Sequence, residues 1–209
     1  MRYTDRTAAG LVLADALRQR GYGSESIVVG LARGGVVVAA EVATTLGAPL
    51  DALAVRKVGH PWHPEFALGA VAPGGVTYLR DTDGLPPETI AAVVAAAHQR
   101  ATALDRHLHA AHPSLPVAGL RCVLVDDGLA TGATMIAAVR WARHTGAAHV
   151  VAAVPVGAYE SIQLVSRETD EVVCPLVPHP FDAVGRWYAS FDQVEDEQVV
   201  ALLAADGSS

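Results

Sequence analysis

Apolar and polar positions fall in blocks along this chain, and the spacing changes from block to block. "TDRTAAGLVLADALRQRG" carries apolar residues at Leu11, Ala14 and Leu17. That is the three-to-four spacing of an amphipathic helix, and Gly21 is placed to stop it. "SIVVGL" is an unbroken apolar run of strand length, and "GVVVAAEVATTLG" returns to helical spacing and ends on Gly47. The exchange continues with "LDALAVRKV" as a strand, a Gly-, Pro- and His-rich loop over residues 58–76, and "GVTYLR" as a strand beside it. A long helix over 86–111 opens at a proline pair. Then come a strand "LRCVLVDD", a helix over 132–145, a strand "AHVVAAVPV", a helix over 157–168 and a strand "DEVVCPLV". "QVEDEQVVALLAAD" closes the pattern as a surface helix with acids in its first turn.

Strands that are continuous Val/Ala/Leu runs, alternating with helices, predict an α/β fold. The expected form is a doubly wound, mainly parallel sheet with helices on both faces. No repeat or long linker divides residues 1–209, so a single domain is expected, with a flexible loop at about 58–76.

Composition narrows the function. Of 209 residues, 51% are hydrophobic and 18% charged, enough apolar material for one large core. A net charge of −7 argues against a nucleic-acid partner, which calls for a basic face, and the nine histidines do not change that at pH 7. No apolar run reaches the length of a membrane span, and "MRYTDRTAAG" lacks the apolar core of a signal peptide. Cys122 and Cys174 sit in apolar runs without CxxC or CxxH spacing. They read as reduced core thiols, and a cytoplasmic location is expected.

In doubly wound sheets ligands bind at the carboxyl ends of the strands, here after Leu31, Val55, Val125 and Val154. At one such end stands "CVLVDDGLATGAT". One aspartate there, or Thr131 or Thr134, would serve as an ordinary helix N-cap. Capping does not account for two adjacent carboxylates before a turn of small residues. A turn of Ala, Thr and Gly at a helix N-terminus offers backbone N–H groups and hydroxyls to a phosphate monoester. The carboxylates of Asp126 and Asp127 would repel that phosphate but accept hydrogen bonds from sugar hydroxyls. A sugar phosphate satisfies both halves.

"VLVDDGLATGAT" resembles the phosphoribosyl pyrophosphate (PRPP) motif of the type I phosphoribosyltransferases, with strand, acidic pair and threonine–glycine turn in the same order. The resemblance implies that Asp126 and Asp127 hold the ribose hydroxyls. It also implies that Ala130, Thr131, Gly132, Ala133 and Thr134 grip the 5-phosphate. Family members acting on 6-oxopurines usually place a third aspartate where this chain has Ala130, whereas orotate- and adenine-type members commonly have alanine. That departure weakens a hypoxanthine or guanine assignment.

"VVGLARGG" is either a tight strand-to-helix turn or a second anion nest built from Ala32, Arg33, Gly34 and Gly35. It resembles the family's pyrophosphate loop, which often holds a non-proline cis peptide. "LAVRKVG" delivers Arg56 and Lys57 to the same edge. Arg56 reads equally as a solvated base, while Lys57 is the expected point charge for phosphate and, with the acidic pair, a catalytic candidate. In the family a loop matching residues 59–75 closes over the reaction, and Trp62 and Phe66 would pack that closed loop or meet a neighbouring subunit. His60, His63 and Glu65 lack a good metal-ligand spacing. The segment from about 175 to 209 corresponds to the family's base-recognising hood, with Phe181, Trp187 and Tyr188 as candidates for stacking or for packing the hood on the sheet. The histidines at 98, 107, 109 and 112 read as a solvated face, and Trp141 as core.

"GLARGG", "RKVG", "PWHPEFALGA", "DDGLATGAT" and "FDAVGRWY" together resemble a bacterial subgroup of predicted phosphoribosyltransferases. The implied reaction moves the ribose 5-phosphate of PRPP to a nitrogenous base and releases pyrophosphate. Mg²⁺ would be held mainly by PRPP and water rather than by protein ligands. A homodimer is common in the family. A PRPP-binding regulator without turnover is the alternative, and an unrelated phosphosugar enzyme would leave the acidic pair and "GLARGG" unexplained together.

Overall fold

A computed structural model describes residues 2–63, 66–80, 82 and 84–206. The first half runs α1 Arg6–Arg18, β1 Ser26–Leu31, α2 Gly34–Leu46, β2 Leu50–Leu53, β3 Arg56–Gly59, β4 Ala67–Ala72, β5 Val76–Leu79 and α3 Pro87–Leu108. The second runs β6 Arg121–Val125, α4 Ala133–His144, β7 His149–Ala153, α5 Tyr159–Val165, β8 Glu171–Val173, a 3-10 turn Val184–Trp187 and α6 Asp196–Asp206.

Five parallel strands form the central sheet in the order β2-β1-β6-β7-β8. β1 is buried along its whole length, which explains its unbroken apolar run. One sheet face packs against α1, α2, α6 and the end of α3 through Leu13, Leu17, Val38, Leu108 and Leu203. The other is covered by α4 and by Ala70, Ala72 and Tyr78 of the β4–β5 hairpin. From β1 the chain steps to β2 on one side, and β6 lies on the other. The strand order therefore reverses between β1 and β6, the crevice where such sheets take their ligands.

Two expected elements differ. "LDALAVRKV" is not one strand: the chain leaves the parallel sheet after Leu53, and Arg56–Gly59 starts a separate antiparallel sheet, β3-β4-β5. Arg56 and Lys57 could not continue a strand buried on both faces without burying charge. Nor is 58–76 a loop throughout. Ala67–Ala72 is a strand with all but its first residue buried, and the Gly/Pro density belongs to the connections around it.

His109 is not on a solvated face. Only 10% of its side chain is exposed, and its Nε2 lies 2.9 Å from Asp51 Oδ1. Its Nδ1 is 3.0 Å from the Asp105 carbonyl oxygen. Hydrogen bonding to Asp105 first, and to Asp51 next, pushes its pKa up to about 10. Asp51 also accepts the N–H groups of Ala52 and Leu115, so this cluster ties the end of α3 to the start of the parallel sheet. Trp141 is half-buried at the core margin rather than inside it. Cys122 is buried and Cys174 half-buried, and both are free thiols.

Candidate active site

Two loops meet at the β1/β6 crevice. Gly34 and Gly35, at the start of α2, let them touch. A Cβ on Gly34 would lie 2.1 Å from Asp127 Oδ2, and one on Gly35 would lie 2.6 Å from the Val125 carbonyl oxygen and 2.9 Å from Asp126 Cα. Only hydrogen fits between the loops at either position. The peptide between Ala32 and Arg33 is cis. The Ala32 N–H donates to Leu53 O at 3.0 Å, so it fastens the loop to β2 and is not offered to a ligand. The Arg33 side chain turns toward the start of α6, with Nη1 3.3 Å from Glu195 Oε2 and Nε 3.8 Å from Asp196 Oδ1.

Asp126 and Asp127 sit half-buried at the end of β6. Asp126 Oδ1 accepts the Asp127 N–H at 2.9 Å. Asp127 Oδ2 accepts a hydrogen bond from Arg6 Nε at 2.8 Å and pairs with the Nη2 end of the guanidinium, also 2.8 Å away. Burial and the neighbouring Asp127 charge raise the pKa of Asp126 well above the usual carboxylate range. Burial raises that of Asp127 too, against the opposing pull of Arg6. Lys57, exposed on β3, is near enough for its charge to favour both carboxylates. Its half-buried neighbour Arg56 has its pKa lowered by burial and by the charges of Arg33 and Arg100, with Asp196 opposing.

Beyond the acidic pair, Ala130 and Thr131 are exposed and Gly132, at φ +81°, turns the chain into α4. Ser161 on α5 braces the turn by donating to Ala130 O at 2.6 Å. Among the described residues no acceptor engages the N–H groups of Ala130, Thr131 or Gly132. These donors lie at the N-terminus of α4, an arrangement able to receive an anion.

Of the three aromatic candidates, Tyr188 offers no open ring face. It is 1% exposed, its ring is tilted against Tyr3 and Phe191, and its hydroxyl donates to Asp127 O at 2.6 Å. It fastens the C-terminal segment to the acidic pair. Phe181 and Trp187 are half-buried beside it. Trp187 also lines a cavity of about 480 Å³ with Arg2, His179, Asp182 and Arg186. Val184 presses on the acidic turn so closely that a Cβ on Gly128 would meet it at 2.5 Å. Trp62 and Phe66 are each 64% exposed, and Glu65 lies outside the described residues. Among the described residues no three His, Cys, Asp or Glu side chains form a metal cluster.

Arg6 was not visible in the sequence as a site residue. It is 121 positions from Asp127, and only the fold brings α1 to the crevice.

The family model of the phosphoribosyl transferase domain matches residues 8–184. Proteins of two Mycobacterium tuberculosis strains, each named "Putative phosphoribosyl transferase", are 43% identical to this chain over 215 residues. The matches cover 96% of this chain and 46% of theirs, so the chain spans about half the length of these relatives. The crystal structure of TT1426 from Thermus thermophilus is similar at 41% identity and a TM-score of 0.84, covering 98% of this chain and 99% of that one. The AQ2163 protein of Aquifex aeolicus shares the fold at 16% identity and a TM-score of 0.54, over 86% of this chain and 78% of its own. No helix among the described residues is long and apolar enough to cross a membrane.

Proposed function

This chain belongs to the phosphoribosyl transferase family, and from that premise we propose that it transfers the ribose 5-phosphate of PRPP to a nitrogenous base and releases pyrophosphate. The observation that carries the proposal is the meeting of the 33–35 loop and the Asp126–Asp127 pair at the β1/β6 switch point, with the 130–134 turn opening a helix alongside.

Each group has a role suited to its chemistry. Asp126 and Asp127 accept hydrogen bonds from the ribose hydroxyls and fix the sugar. The N–H groups of the 130–134 turn and the hydroxyls of Thr131 and Thr134 hold the 5-phosphate. The N–H groups of Arg33, Gly34 and Gly35, with the Lys57 ammonium, face the pyrophosphate, where negative charge grows as the bond breaks. A base nitrogen bonds to the anomeric carbon while the bond to the pyrophosphate oxygen breaks and its electron pair leaves with that oxygen. The proton displaced from the base passes to solvent. The chain's contribution is positioning and charge stabilisation. Mg²⁺ would supply further charge neutralisation at the pyrophosphate. The donor set fits a metal held by substrate and water, since one oxygen of each aspartate is already engaged by protein N–H groups.

The loop around Trp62 would exclude water on closing. Its exposed Trp62 and Phe66 suit a homodimer contact, and the two free thiols suit the cytoplasm. Ala130 in place of an acidic residue favours a base other than hypoxanthine or guanine. The test is pyrophosphate release from PRPP and Mg²⁺ with a panel of purines, pyrimidines and other nitrogenous acceptors. Release dependent on one acceptor supports the transferase and names its substrate class. Tight PRPP binding without release on any acceptor would replace it with a PRPP-sensing regulator.

A further inference from the structure

The Arg6 guanidinium meets three partners from two parts of the chain. Nε donates to Oδ2 of Asp127 at 2.8 Å, and Nη2 stands 2.8 Å from the same oxygen as its ion-pair partner. Nη1 donates to the Asp192 carbonyl oxygen at 2.7 Å. The Cζ lies 3.9 Å above the Phe191 ring. Its side chain is 12% exposed, and that of Asp127 16% exposed. A surface ion pair would not hold one rotamer against so many constraints. Gly34 closes the remaining side, since a Cβ there would lie 2.9 Å from Arg6 Nε.

We propose that Arg6 is a positioning residue for the acidic pair: it occupies Oδ2 of Asp127, turns Oδ1 to the ribose, and locks the 191–192 strap over the site. The proposal rests on the PRPP reading for the identity of the ribose, though not for the contact itself. Two carboxylates side by side repel each other, and burial favours their neutral forms. A protonated Asp127 would offer a donor where the sugar hydroxyl needs an acceptor. The groups facing Asp127 are Arg6 from α1, Asp126 beside it, Lys57 from β3 and Tyr188, which follows the 3-10 turn. Among these, only Arg6 is bonded to the carboxylate. Its planar fork reaches Asp127 and Asp192 at once, which a lysine ammonium cannot reproduce.

The experiment compares wild type with Arg6→Gln and Arg6→Lys, each checked for retained fold by circular dichroism. The Asp127 carboxyl carbon is followed by NMR against pH without ligand, and PRPP affinity with Mg²⁺ is measured by calorimetry. Arg6→Gln should raise the Asp127 midpoint by roughly one to two pH units and weaken PRPP binding about 10- to 100-fold, the scale of one charge-assisted hydrogen bond. Arg6→Lys should restore most of the titration and only part of the affinity. An unshifted Asp127 midpoint in a folded Arg6→Gln protein overturns the proposal. If the midpoint shifts but wild type fails to bind PRPP, the positioning role stands and the PRPP reading fails.

Discussion

Gly34→Ala tests how closely the two loops are joined. The new methyl would lie 2.1 Å from Asp127 Oδ2 and 2.9 Å from Arg6 Nε. Reaching ordinary contact, about 3.4 Å, requires the carboxylate to move by about 1 Å. The Arg6 Nε hydrogen bond, 2.8 Å long, would then exceed hydrogen-bond range and the ion pair with Nη2 would lengthen with it. Separating a mostly buried guanidinium–carboxylate pair costs about 2–3 kcal/mol, taken low because both side chains keep some exposure. For a chain of this size that lowers Tm by about 5–10 °C. The sign is diagnostic, because alanine in an uncrowded helical position would instead stabilise by up to about 1 kcal/mol. Gly59→Ala is the control, since a Cβ there meets nothing within 4 Å. Thermal unfolding and a PRPP titration on both variants complete the assay. A Gly34→Ala protein with unchanged or raised Tm and unaltered PRPP binding would refute the packing argument.

Two further outcomes follow from the buried titrating groups. The folded pKa of His109, about 10, lies above its ordinary 6.5. Its stabilisation is therefore complete below about pH 6.5 and lost as pH rises through about 10. His109→Ala should cost about 3 kcal/mol at pH 6 by leaving Asp51 buried without its cation, and clearly less above pH 10, as read by urea unfolding at both pH values. Burial pushes the thiols of Cys122 and Cys174 each up to about 12. Iodoacetamide at about pH 8 should leave both unlabelled in the native protein and label both in denaturant.

The parallel sheet and the acidic motif were legible because their signals are local. "SIVVGL" and "RCVLV" announce buried strands by composition, and Asp126, Asp127 and the threonine–glycine turn are contiguous. β4 was hidden because Gly69 and the flanking prolines look like loop residues. Yet Gly69 is where the Tyr78 carbonyl comes within 1.9 Å of an added Cβ, so close strand packing demands glycine. Tyr188 reads as an open aromatic in sequence, and only the fold shows its ring covered and its hydroxyl on Asp127 O. His109 and Arg6 were missed for one reason. Their partners Asp51 and Asp127 are 58 and 121 residues away, and no periodicity reports which charge a distant side chain will meet.

The central claim is that Asp126 and Asp127 hold the ribose of PRPP. Its most direct test is calorimetric titration of PRPP with Mg²⁺ into wild type and into the Asp126→Asn, Asp127→Asn double variant. The account predicts saturable binding by wild type and its loss in a double variant that still folds. Equal binding by both proteins, or none by wild type, would contradict it.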